Sequence, residues 1–148
     1  MIRASTELRN RLISAAPFTL LMKNSVMRIY SGDMPAHPED AATGTRIGYI
    51  TTDGGPYLPA VNGLQWYGDT IGAAINSAPW VAYFQESGVA GWVRLSTSFA
   101  SGLDDFDDAL AVRVDISADA MGLLTTIPNL PGSSRPVIDL RIGLAEHI

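Results

Sequence analysis

Two hydrophobic periods divide the chain, a helical one before about residue 25 and a strand-like alternation after it. In the first part Leu8, Leu12 and Ala15 or Ala16 fall on one stripe, behind Ser5 or Thr6, either of which can cap a helix. A short helix ending near Ala16 is predicted, with Pro17 as its stop or bend. Residues 18–22 fit either another helical turn or a strand, and Lys23-Asn24-Ser25 reads as a turn. The strands predicted from there on are 26–30, 46–52, 63–67, 81–85, 92–96, 111–116, 123–127 and 137–142. Short strands separated by Gly, Pro and Asn imply a sandwich or small barrel, and the long 31–45 connection with its Pro35 and Pro38 suits a jelly-roll crossover. The expected fold is mainly β, a jelly-roll-like antiparallel β-sandwich with a short N-terminal α-helix. No fixed-period repeat and no linker interrupts the pattern, so one domain over 1–148 is expected, with 1–16 as its helix or arm.

Alternation also assigns faces, because successive strand side chains point to opposite sides. Val112, Val114 and Ile116 are expected to face inward with Arg113 and Asp115 in water. Ile138, Leu140 and Ile142 are likewise expected inside, with Asp139 and Arg141 outside. Pairing Arg113 with Arg141 would set Asp115 against Asp139, so these strands are either not neighbours or are offset by two residues. In 80–85 both faces are apolar, Trp80, Ala82 and Phe84 on one and Val81 and Tyr83 on the other. That strand belongs in the middle of a sheet, its outer face covered by the helix or by another subunit.

Composition narrows the function. The chain has 148 residues, 47% of them hydrophobic and 17% charged, an apolar excess that points to contact with another subunit. Cysteine is absent, which removes disulfides, thiolate metal sites and a Cys nucleophile. The first residues carry Arg3, Glu7, Arg9 and Arg11 without the apolar run of a signal peptide, and no stretch approaches the ~18 apolar residues of a membrane span. A net charge of −5 opposes phosphate binding, so nucleic acid is not an expected partner, and without an apolar span neither is a membrane.

Candidate chemistry is sparse. Asp104-Asp105-Phe106-Asp107-Asp108 is dense in carboxylates, but it lacks the alternating ligands and turn glycine of a calcium loop and reads as a solvated acidic loop. Only His37 and His147 could serve as imidazole bases, and neither belongs to a nucleophile, zinc or phosphate-loop motif. No catalytic, cofactor-binding or metal-binding residue is assigned, and the chain is not expected to be an enzyme. Trp66, Tyr67, Trp80, Tyr83, Phe84 and Trp92 could form a stacking platform for sugars, although large aromatics in a small β-domain more often build a core or a subunit interface.

The strongest motif is Arg28-Ile29-Tyr30-Ser31-Gly32-Asp33-Met34-Pro35, followed by Pro38-Glu39-Asp40-Ala41-Ala42-Thr43-Gly44-Thr45. With Asn62-Gly63-Leu64-Gln65-Trp66 and Val89-Ala90-Gly91-Trp92-Val93-Arg94-Leu95, it resembles a family of small tailed-bacteriophage virion structural proteins in order and approximate spacing as far as Phe99. The resemblance implies a virion protein of the phage head surface, assembled in the host cytoplasm. A capsid decoration or cement protein is the favoured role. Its implied partners are the major capsid protein and further copies of itself, as homodimer or homotrimer. A tail or neck subunit is the alternative, and a carbohydrate-binding host-attachment module a further one. Gly32 is expected at positive φ, the two prolines stiffen the loop, and a preordered loop makes a docking arm. The interface candidates are Tyr30, Pro35, Pro38, Trp80, Tyr83, Trp92 and Arg94.

Overall fold

A computed structural model of the chain describes residues 2–14, 16–68, 73–76, 79–97, 112–118, 132, 134–137 and 141–143. It opens with strand β1 (Ile2–Ala4) and helix α1 (Thr6–Ser14). Ser5 is the cap, its Oγ accepting the Leu8 N–H at 3.2 Å, and a Glu7–Arg11 ion pair of 2.8 Å bridges one turn. Pro17 stands just before a single helical turn, α2 (Phe18–Leu21), which resolves the open assignment of that segment. The remaining elements are β2 (Val26–Tyr30), β3 (Arg46–Thr51), α3 (Pro59–Asn62), β4 (Trp66–Gly68), β5 (Ala73–Asn76), β6 (Trp80–Phe84), β7 (Trp92–Ser96), β8 (Arg113–Ser117), β9 (Ser134–Val137) and β10 (Arg141–Gly143).

The fold is mainly β, an antiparallel sandwich with a short N-terminal helix, as the pattern implied. Among the described residues seven strands form a large sheet in the order β1-β8-β7-β2-β3-β6-β9, and three form a small one, β10-β5-β4. The predicted 137–142 strand is divided between the sheets as β9 and β10, so β8 and the Arg141 strand are not neighbours. The predicted 63–67 strand shortens to β4, with Leu64 making an isolated bridge to Ser25. Strands β1 and β5 were not anticipated, being too short to show a period. The predicted 123–127 strand lies outside the described residues.

One face of the large sheet supplies the core. Met27, Ile29, Ile50, Trp80, Ala82, Phe84, Val93, Leu95 and Ile116 are each fully buried, each contributing about 1.5–3 kcal/mol where the side chain is large. Leu8 from α1 and Phe18 from α2 join the same cluster, so the helix packs on its own sandwich. The small sheet closes the core through Trp66, whose ring meets Phe18 at 5.3 Å and Trp80 at 4.9 Å, both edge to face.

Candidate functional site: a loop clamped to the polar face

The other face of the large sheet is polar. Residues opposite one another on a ladder share a face, so the register sets Arg3, Asp115, Arg94, Arg28, Tyr49 and Tyr83 in one row across six strands. Arg94 and Arg28 stand directly opposed, an unfavourable pairing that Asp115 relieves from the other side. Arg94 Nε donates to Asp115 Oδ1 at 2.7 Å and Nη2 to Oδ2 at 3.0 Å, with the side chains 4% and 0% exposed. Arg113 and Asp115, expected in water, are thus buried at 2% and 0%. Alternation identified their face correctly but could not reveal that something lies over it.

Part of that cover is the 31–45 loop. Its base closes between β2 and β3, where Ser31 N–H donates to Thr45 O at 2.9 Å. Gly32 and Gly44 adopt φ of +83° and +81°, and a Cβ on Gly44 would stand 1.8 Å from the Ser31 carbonyl oxygen. Beneath the base runs the Gly91-Trp92 segment. Gly91 donates its N–H to Tyr30 O at 2.8 Å, and a Cβ there would come within 1.9 Å of Gly32 O. Trp92 stacks on Tyr30 with centroids 4.6 Å apart, its Nε1 donates to Thr43 O at 3.3 Å, and the Arg94 guanidinium lies 5.2 Å from its ring centre.

The crown of the loop is held from β1, α1 and β8. Arg3 Nη1 donates to Pro35 O at 2.8 Å and Ala36 O at 3.1 Å, and Arg113 Nη1 to Pro38 O at 3.2 Å and Glu39 O at 3.3 Å. The Glu39 carboxylate accepts the Thr6 N–H at the start of α1. Hydrogen bonds from Thr6, side chain first and then backbone, pull the Glu39 carboxyl down to about 2.

Five of the seven interface candidates are therefore interior. Trp80 and Trp92 are fully buried, Arg94 is tied to Asp115, and Pro35 and Pro38 are buried against the sheet, so each of these residues packs within the chain. Tyr30 and Tyr83 remain partly accessible. Exposed side chains of the loop include Asp33, Ala36, His37, Glu39, Asp40, Ala41, Thr43 and Thr45. The motif included Asp40, Ala41, Thr43 and Thr45, but the interface candidates drawn from it were its larger residues.

Beside the clamp, a cavity of about 200 Å³ is lined by Val26, Arg28, Arg46, Tyr49, Pro56, Tyr57 and Gln85. Burial raises both phenols, against a lowering by Arg28 at Tyr57, so they stay neutral near pH 7. Tyr57 OH donates to Asn24 O and Tyr49 OH to Gly54 O. These bonds hold the 53–57 turn over the sheet. Among the described residues no group of three His, Asp or Glu side chains is arranged to hold a metal ion, and no helix is long and apolar enough to cross a membrane. The 104–108 acidic run and His147 lie outside the described residues. Trp66, Trp80 and Trp92 are at most 4% exposed, which leaves the glycan reading without an indole face to stack on.

Comparison with family models, with curated proteins and with solved structures finds no match to this chain.

Proposed function

We propose that this chain is a non-enzymatic structural protein of a tailed-phage virion, acting as a capsid decoration or cement protein that binds across neighbouring major capsid subunits. The observation that carries the reading is the convergence of the motif segments. Residues 28–45 and 89–95, far apart in sequence, meet in one unit with a buried base and an exposed loop surface, while the remaining motif segment, 62–66, lies apart and leads into the small sheet.

A loop ordered before binding loses less conformational entropy on docking than a mobile one, so more of its contact energy appears as affinity. Repetition over a lattice then multiplies weak single contacts. Ile13, Leu20, Leu58, Val61 and Tyr67 are exposed apolar side chains away from the loop, and they supply area for the homodimer or homotrimer contact.

The test is co-sedimentation of the purified protein with isolated heads that lack it, with unassembled capsid subunits as control. Saturable binding to heads alone, at a copy number fixed by the lattice, is expected. Absence of binding would reject the cement role and direct attention to the tail or neck, where ring stoichiometry replaces lattice stoichiometry.

A further inference from the structure

We propose that residues 2–6 form a clasp, and that its attachment to β8 controls how firmly the crown of the 31–45 loop is held on the sheet. The loop has two mechanically different parts. Its base, near Ser31 and Thr43–Thr45, is held by β2, β3 and β7, all interior strands of the large sheet. Its crown, 35–39, is reached among the described residues by side-chain bonds from Arg3 and Arg113 and by the Glu39 bond to Thr6.

Arg113, held in β8 by its ladder to β7, is also bonded to the clasp. Ser5 N–H donates to Arg113 O at 2.9 Å, and Arg113 N–H donates to Ser5 Oγ at 3.1 Å. When residues 2–6 come away the crown loses the Arg3 and Thr6 bonds together, and Arg113, left on β7, loses two of the backbone bonds that steady it.

The clasp sits where local opening is easiest. Among the described residues β1 is an edge strand with three ladder pairs, all to β8, and Ile2 at its start is 44% exposed. Crown order and β1 attachment share one free energy. A contact that fixes the crown must tighten β1, and anything that lifts β1 must loosen the crown by the same factor. On the virion reading, docking on capsid subunits would draw β1 down onto its sheet, and a subunit with β1 lifted would dock poorly. Only this last consequence rests on the proposed function; the clasp itself does not.

Hydrogen exchange on the intact chain tests it, comparing wild type with Arg3→Ala and with Glu39→Gln. The reporters are the Asp40 N–H, bonded to His37 O in the crown, the Ser31 N–H in the base and the Ser5 N–H in the clasp. Loss of the two charge-assisted Arg3 bonds is expected to speed exchange at Asp40 about tenfold or more, with Ser31 unchanged. Glu39→Gln, a surface change that leaves the sheet intact, is expected to speed exchange at Ser5. Unchanged exchange at Asp40 in Arg3→Ala, or equal acceleration of base and crown, would overturn the clasp. Head binding is measured on the same samples. Wild-type protein that fails to bind heads rejects the virion reading while the exchange result still decides the clasp. Wild-type protein that binds, with Arg3→Ala binding as well, denies the clasp its part in docking.

Discussion

Replacing Asp115 by Asn removes one charge from the polar row with almost no change in shape. In the native chain Asp115 is fully buried and accepts two bonds from Arg94, at 2.7 and 3.0 Å. Its neighbours along the row are Arg3 on β1 and Arg94 on β7, with Arg28 beyond. Without the carboxylate, a 4%-exposed guanidinium is left among other cations in a site sheltered from water. Breaking a buried pair by removing one partner costs about 3–5 kcal/mol, a large part of the roughly 5–15 kcal/mol that holds a domain together. At about 2–4 °C per kcal/mol, Tm should fall by around 10 °C.

Arg94→Met should cost less. It leaves Asp115 beside Arg3, a second cation already opposite it on the ladder. The double variant Arg94→Met with Asp115→Leu should recover most of the loss, because an apolar pair of similar volume has no desolvation penalty to repay. Urea unfolding at pH 7 provides the measurement, with a shifted midpoint and an unchanged slope marking a true stability change. A cost below about 1 kcal/mol for Asp115→Asn, or a larger cost for Arg94→Met, would refute the argument that the carboxylate neutralises the row.

Three further outcomes follow from the same structure. Glu39→Gln should lower stability at pH 7 by no more than about 1 kcal/mol, since Glu39 is exposed. Because folding depresses its carboxyl from 4.5 to about 2, the wild-type advantage is complete above pH 4.5 and should fade as pH falls toward 2; a difference independent of pH across that window would contradict the Thr6 contact. Ser5→Ala should cost about 2–3 kcal/mol in urea unfolding, because one buried Oγ accepts from both Leu8 and Arg113 N–H groups, and a loss under about 0.5 kcal/mol would show that neither bond matters. Gly44→Ala should open the loop base, seen as faster exchange of the Ser31 N–H, since any Cβ there meets the Ser31 carbonyl at a φ of +81°. Wild-type exchange at Ser31 would mean that the turn relaxes without cost.

The strands β2 and β7 were legible to the residue, since each is a five-residue run bounded by Gly, Pro or turn residues. The start of α1 was legible to within one residue, Ser5 or Thr6, because a hydroxyl ahead of a 3.6-residue stripe acts through neighbours in sequence, and the structure gives the cap to Ser5. Alternation told Val114 and Ile116 from Arg113 and Asp115, a local property of the pleat. Only tertiary structure decided what stands over each face. Whether Asp115 meets water depends on strands and loops far away in sequence, and the bonds from Arg3 to Pro35 and from Arg113 to Pro38 span 32 and 75 residues. The same applies to the motif. Sequence marked Tyr30, Gly44, Gly91 and Trp92 as a set, while folding brought them into contact and turned the largest of them inward. The sequence by itself determined local conformation and side-chain direction, which arise from each residue's own backbone and immediate neighbours. Burial, ion pairing and the choice of exposed surface were decided by tertiary structure, because they depend on which distant segments come to share a face.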